Sequence, residues 1–284
     1  MDIIGKTVLI TGASSGIGEA IAKTAAAKGA RVLLLARSTH FLKRVASEIT
    51  AQRGMAIPFT VDLSDAAAVA AVAVRIIAEE GVPDIIVNNA GAGRWLSVAE
   101  TGPTEVAEMM AAPYFAAFNL TREFLPEMIR RGSGRIVNVS SVASRLSWPG
   151  AAAYIAARWA INGFSNALRT EVQKSGLTVT LALFGSVSST FWLHNPGSRE
   201  RLPMVNKFIP ELTPDQAAQA IVRGIERNAR EVIKPVIFRF IFFLNGLFPR
   251  TTEMILRLGW RAPETGHADV SLPDKTQSNS GEGN

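Results

Sequence analysis

The sequence predicts an α/β fold: one doubly wound parallel sheet with helices on both faces. Three observations predict it. Short runs rich in Val, Ile and Leu alternate with helical patterns along most of the chain. Strands of that composition, separated by helices, indicate a parallel sheet covered on both faces. A glycine-rich turn, TGASSGIG (11–18), stands where the first strand gives way to the first helix.

The elements follow in order. TVLIT (7–11) is a short buried strand, and the helix after it places Ile17, Ile21 and Ala25 on one face and stops at Gly29. RVLLLA (31–36) is the second strand. FLKRVASEITAQRG (41–54) is a helix ending in glycine, and AIPFTVD (56–62) holds the third strand. Ser64 and Asp65 are cap residues for an Ala/Val-rich helix that ends near Gly81. DIIVNNAG (84–91) is a fourth strand running into a loop. A helical stretch covers about 104–131, GRIVNVSS (134–141) is the fifth strand, 154–175 is a helix and LTVTLALF (177–184) is the sixth strand. Thr213-Pro214-Asp215-Gln216 carries an N-cap threonine, a proline at the first helical position and a glutamine that closes a capping box.

The 284 residues are 48% hydrophobic and 19% charged, so the chain can bury a sizeable core. It has no cysteine, which excludes disulfides, thiol nucleophiles and cysteine-ligated metal. His40, His194 and His267 are too scattered to hold a metal. The net charge is +6, with much of the excess late: Lys234, Arg239, Arg250, Arg257 and Arg261. No lysine-rich run or nucleic-acid motif accompanies it, so the expected partner is an anionic cofactor or membrane surface, not nucleic acid. The N-terminus has no basic region leading into a long apolar stretch, and no apolar run is long enough to span a bilayer. The expected location is cytoplasmic, with peripheral membrane contact as an open reading.

In TGASSGIG, Gly12 permits a tight turn, Gly16 lets the backbone approach a pyrophosphate, and Gly18 lets the helix pack closely on the sheet. The free amides at the helix start then face the phosphates. The TGxxxGxG spacing, followed by NNAG at 88–91, resembles the short-chain dehydrogenase/reductase family from about residue 5 to 235. The resemblance implies a single-domain, seven-stranded Rossmann fold with its active site at the carboxyl ends of the strands. It implies a homodimer or homotetramer. It places the cofactor against Gly12, Ser14, Ser15, Gly16, Ile17 and Gly18, the adenine near Asp62 and Leu63, and the lining loop at Asn89, Ala90 and Gly91. Arg37 follows directly after the second strand, where a basic residue accepts a ribose 2′-phosphate. NADP(H) is therefore favoured over NAD(H).

Ser141 ends the fifth strand, Tyr154 lies 13 residues later and Arg158 four beyond that. Both spacings match the family's serine, tyrosine and lysine. The implied chemistry is hydride transfer, with tyrosine moving the proton at the substrate oxygen and serine donating a hydrogen bond to it. Tyr154 and Arg158 also face the nicotinamide ribose by this resemblance. Two family positions are replaced: arginine stands for the lysine at 158, and Pro113 falls where the family has an asparagine at a helix irregularity. Arginine keeps the charge but is bulkier and planar and does not release its proton. Two outcomes stay open. One is an oxidoreductase of a hydrophobic ketone, aldehyde or secondary alcohol with a Ser-Tyr-Arg site. The other is a catalytically impaired NADP-binding subunit that regulates or partners another protein.

FGSVSSTFW (184–192) follows the sixth strand, with Gly185, Val187 and Thr190 as implied contacts for the carboxamide and phosphates. Residues 190–212 are expected to form a mobile substrate lid. Trp95, Trp148, Phe191, Trp192 and Leu193 are the candidate lining of an apolar pocket for a lipid, steroid or acyl chain. The nucleotide-binding domain, lid included, is assigned to 1–235, a hydrophobic helical extension to 236–262 and a disordered polar tail to 263–284. Within 236–260, Ile237, Ile241, Leu244 and Phe248 make a helical stripe, while Phe240, Phe242 and Phe243 spread it nearly all round. This segment caps the pocket and packs in a subunit interface, lies on a membrane surface, or is plain core; the sequence leaves all three open.

Overall fold

β1 (Thr7–Thr11) lies inside the sheet, with side chains buried on both of its faces. Val8 and Ile10 enter one core layer with Ile21, Ala25 and Ile221; Leu9 enters the other with Val69, Ile76 and Phe124. The computed structural model describes residues 2–260. The strands after β1 are β2 (Arg31–Ala36), β3 (Met55–Thr60), β4 (Ile85–Asn88), β5 (Gly134–Ser141), β6 (Leu177–Phe184) and β7 (Glu231–Lys234). They form one parallel sheet in the order β3-β2-β1-β4-β5-β6-β7. The winding reverses between β1 and β4, and in sheets of this kind the ligand crevice lies at the carboxyl ends there.

The helices are α1 (Gly16–Ala27), α2 (Thr39–Ala51), α3 (Ala66–Glu80), α4 (Pro103–Met110), α5 (Ala116–Arg131), α6 (Ala152–Glu171), α7 (Phe191–His194), α8 (Pro214–Glu226), α9 (Ile237–Leu247) and α10 (Pro249–Arg257). α4 and α5 are one rod joined by a π-helical segment, Ala111–Phe115. Pro113 sits inside that segment and is buried. Proline has no N–H and its ring crowds the preceding turn, so the wider turn absorbs what an α-helix would not.

Several local expectations change. α2 ends at Ala51, three residues short of Gly54, and Gln52 is its C-cap. Only Asp65 caps α3: its Oδ1 accepts from the amides of Ala67 (2.8 Å) and Ala68 (3.2 Å). Ser64 instead donates its amide and hydroxyl to Asp62 Oδ1 (2.9 and 2.7 Å), because that carboxylate is the nearer acceptor. The capping box of α8 forms as read, with Gln216 N–H donating to Thr213 Oγ1 (3.2 Å) and Thr213 N–H to Gln216 Oε1 (2.9 Å).

The C-terminal stripe holds at Ile241 and Leu244, which are half-buried, and fails at Ile237 and Phe248, which are exposed. Phe238, not Ile237, is buried, and Ile241 and Phe242 pack beside it. Phe238 takes the space that Gly185 leaves: a Cβ on Gly185 would come within 2.7 Å of the ring. Gly185 is thus explained by packing against α9. Ile237, Phe240, Phe243 and Leu247 are exposed, so the plain-core reading fails. Residues 263–284 lie outside the described residues. Among the described residues no helix is long and apolar enough to cross a membrane.

Candidate active site and cofactor cradle

Thr11, the last residue of β1, ties the phosphate loop to the NNAG loop. Its hydroxyl accepts the amides of Asn89 (2.8 Å) and Ala90 (2.9 Å), and its carbonyl accepts the Asn89 side-chain amide (2.9 Å). A buried chain of hydrogen bonds continues inward. Asn88 donates to Thr121 (3.0 Å) and Asn138 (2.8 Å), and Asn138 donates to Ser165 (2.9 Å). This network locks β4, α5, β5 and α6 together directly beneath the crevice, where paired polar groups add rigidity. Sequence reasoning named Asn89 and missed Thr11 and Asn88.

The loop fits a dinucleotide on its own geometry. Gly12 and Gly16 have φ of +65° and +57°, which side chains other than glycine rarely adopt. A Cβ on Gly18 would run into the Gly12 carbonyl and the Asn89 amide. Ser15, the N-cap of α1, makes no side-chain hydrogen bond to the helix amides, which leaves them for an anion. Ser14 and Ile17 are half-buried beside it. Thr190, at the base of the 190–212 excursion, reaches Ser15 with hydroxyls 3.3 Å apart, and Val187 pairs with Leu212 so that the two ends of the excursion meet.

Arg37 is exposed after β2 and, among the described residues, holds no hydrogen bond or ion pair. Its neighbour Asp62 is held below the usual carboxylate range by the Ser64 hydroxyl and amide, with the charge of Arg37 adding to it. Leu63 turns its side chain into the core, so it offers a ligand mainly its backbone.

α6 brings Tyr154 and Arg158 together. Their i, i+4 spacing stacks them on the buried face, where they are 6% and 7% exposed. The guanidinium carbon of Arg158 lies 4.8 Å from the Tyr154 ring centroid, a cation–π contact over the ring face. The rest of the guanidinium fits against Gly91, where a Cβ would lie 3.0–3.1 Å from its terminal nitrogens. Among the described residues its side chain makes one hydrogen bond, from Nη2 to the Ala92 carbonyl at 3.4 Å, and its Nε makes none. Ser141, at the end of β5, accepts the Ala143 amide (3.2 Å), so its own proton is free to donate. Among the described residues neither Ser141 nor Arg158 hydrogen-bonds the Tyr154 hydroxyl.

Aromatic rings close over Tyr154. Trp95 lies 5.4 Å away by ring centroids and Phe191 6.2 Å; Trp95 also touches Trp148 (5.2 Å) and Trp192 (5.7 Å). Such pairs are worth roughly 0.5–1.5 kcal/mol each beyond area burial. Four of the five expected pocket residues therefore meet here. Leu193 does not: it is 80% exposed.

The excursion is pinned from outside. Trp95 N–H donates to the buried Ser198 hydroxyl (3.0 Å), and Arg201 grips Glu100 with both terminal nitrogens at 2.7 Å. Arg201, assisted by Ser97, holds the Glu100 carboxyl down at about 2. A depressed carboxyl stabilises the fold above its ordinary value and loses that effect as pH falls. Amide hydrogen exchange in 190–212, corrected for intrinsic rate, is therefore expected to quicken as pH drops from about 4.5 towards 2. Glu100→Gln is expected to exchange fast at every pH; a slow, pH-independent variant would remove the clamp from the account.

The profile of the short chain dehydrogenase family matches residues 6–199. The chain belongs to that family. The short-chain dehydrogenase framework explains the sheet order, the glycine loop and the crevice, and it assigns oxidoreductase chemistry between CH–OH and C=O. A fatty acyl-CoA reductase of Acinetobacter baylyi is 35% identical over 281 residues, 96% of this chain and 90% of that protein. A short-chain dehydrogenase from Streptomyces avermitilis superposes with a TM-score of 0.75 at 30% identity, covering 87% of this chain and 93% of the other. A metagenomic short-chain oxidoreductase solved with NADP superposes at 0.69 and 32% identity, covering 82% and 97%.

Proposed function

We propose that this short-chain dehydrogenase uses NADP(H) to interconvert a hydrophobic ketone or aldehyde and its alcohol, with Tyr154 as the proton-transfer group. The observation that carries the reading is the enclosure of Tyr154: apolar rings on one side, a buried cation over its face on the other. The nicotinamide supplies the hydride when bound. Gly12, Ser14, Ser15, Gly16, Ile17 and Gly18 hold the pyrophosphate; Asp62 and the Leu63 backbone border the adenine. Asn89, Ala90, Gly91, Val187 and Thr190 line the nicotinamide half. Ser141 donates to the substrate oxygen, Tyr154 moves the proton there, and Arg158 places a positive charge over the Tyr154 ring face. The π-turn at Pro113 keeps a helix irregularity beside α6. Trp95, Trp148, Phe191 and Trp192 exclude water and select an apolar chain, in keeping with the acyl substrate named for the Acinetobacter relative.

One observation favours the impaired reading. Arg158 faces the ring rather than the hydroxyl, so the tyrosine proton lacks a direct relay. Under that reading the chain binds NADP(H) and serves a partner without turnover.

The first experiment titrates NADPH and NADH against the protein, following energy transfer from its tryptophans. Tight NADPH-selective binding supports the cradle; no binding of either nucleotide overturns both readings. Arg37→Asp is expected to weaken NADPH binding by about 10–100-fold, the value of a charge-assisted contact, and to leave NADH nearly unchanged. Equal losses for both would mean Arg37 does not read the phosphate. Sedimentation tests the expected homodimer or homotetramer.

A further inference from the structure

A second recess, of about 570 Å³, opens behind the aromatic box. It is lined by Trp148, by Arg250, Glu253, Met254 and Arg257 of α10, and by Trp260. Trp260 is held close because Gly150 has no side chain: a Cβ there would strike its ring. Trp148 is shared with the active site. It touches Trp95, which touches Tyr154, so the recess and the reacting centre are two ring contacts apart.

The recess carries unspent polar capacity. Arg250 and Arg257 lie seven residues apart, two turns on one face of α10. Among the described residues neither side chain has a hydrogen bond or ion pair. Glu253, between them, offers an acceptor to N–H or O–H groups. Trp148 is 9% exposed and its indole nitrogen has no acceptor. Two guanidinium groups without partners among the described residues, two turns apart on one helix face, suit phosphate oxygens.

We propose that this recess binds the phosphate-bearing head of an amphiphilic carbonyl substrate whose apolar part runs along Trp148 to Tyr154. The proposal rests on the reductase reading for the direction of the chain, but its ligand can be read without turnover. Octanoyl-CoA supplies phosphates, amide donors and a short acyl chain in one monomeric probe. Its binding to the full chain, followed by tryptophan quenching without nucleotide, is expected to weaken with added salt. The double variant Arg250→Ala/Arg257→Ala is expected to lose at least about tenfold in affinity. NADPH binding, the melting temperature and the KM for 2-decanone, which has no charged head, are expected to stay unchanged.

Equal octanoyl-CoA affinity in variant and wild type overturns the proposal, as does an equal loss for 2-decanone. Capture of wild type but not variant on phosphatidylglycerol vesicles, with no octanoyl-CoA binding, also overturns it and assigns the arginines to a lipid surface. A chain that binds octanoyl-CoA through these arginines yet never oxidises NADPH would sink the reductase reading and leave the recess standing.

Discussion

Tyr154→Phe is expected to cut kcat by about 10²–10⁴-fold, the range for loss of a general acid–base group, while NADPH binds as before. The substitution removes one oxygen and almost no volume. The ring still packs between Trp95 and Phe191, and Arg158 still lies over its face. Melting temperature should move little, because the hydroxyl has no hydrogen bond to Ser141 or Arg158 to lose. That separation makes the measurement decisive. A loss of turnover with unchanged folding and NADPH affinity assigns the oxygen to proton transfer. Unchanged turnover would take Tyr154 out of the mechanism, and the enclosure would then be packing alone. If wild type and variant both fail to oxidise NADPH with every hydrophobic carbonyl tried, the partner-subunit reading stands.

The parts of this fold that were legible in sequence share a cause. β1, β2, β5 and β6 each carry Val, Ile or Leu buried on both faces, so their apolar residues mark where the strands lie. β7 escaped because it is four residues long with a charge at each end. α9 escaped in part: a segment apolar all round has no periodicity to choose a face, and the choice was made by Gly185 across the chain. Both Ser64 and Asp65 are cap-competent, and what separated them was the Asp62 carboxylate competing for the serine. The site divides in the same way. Spacing put Tyr154 and Arg158 on one helix face, but spacing says nothing of rotamer, and the guanidinium went over the ring. The Glu100–Arg201 clamp joins residues 101 apart in the chain, so no local pattern marks it.

Arg158→Ala is expected to lower turnover by roughly 10²-fold or more without lowering the melting temperature in proportion, and Arg158→Lys to keep most of the activity. The argument starts from the state of the guanidinium. It is 7% exposed, and among the described residues its Nε has no partner and its one hydrogen bond is long. No carboxylate among the described residues pairs with it. A buried charge left this way is a cost to the fold, and its removal is often neutral or stabilising. Against that stands the void left beside Gly91 and the lost ring contact, worth about 1–2 kcal/mol. The two nearly offset, so stability alone does not account for an arginine here. A charge that the folded chain leaves unmatched is matched when an anion arrives, either the charge that builds on the reacting oxygen or the bound nucleotide. Lysine keeps that charge and is slimmer against Gly91. Its ammonium is a compact donor free to turn towards the hydroxyl, which the planar guanidinium over the ring face is not. Arg158→Ala with full turnover would assign the charge to nucleotide binding alone, and the NADPH titration on the same variant would show it as a weakened Kd.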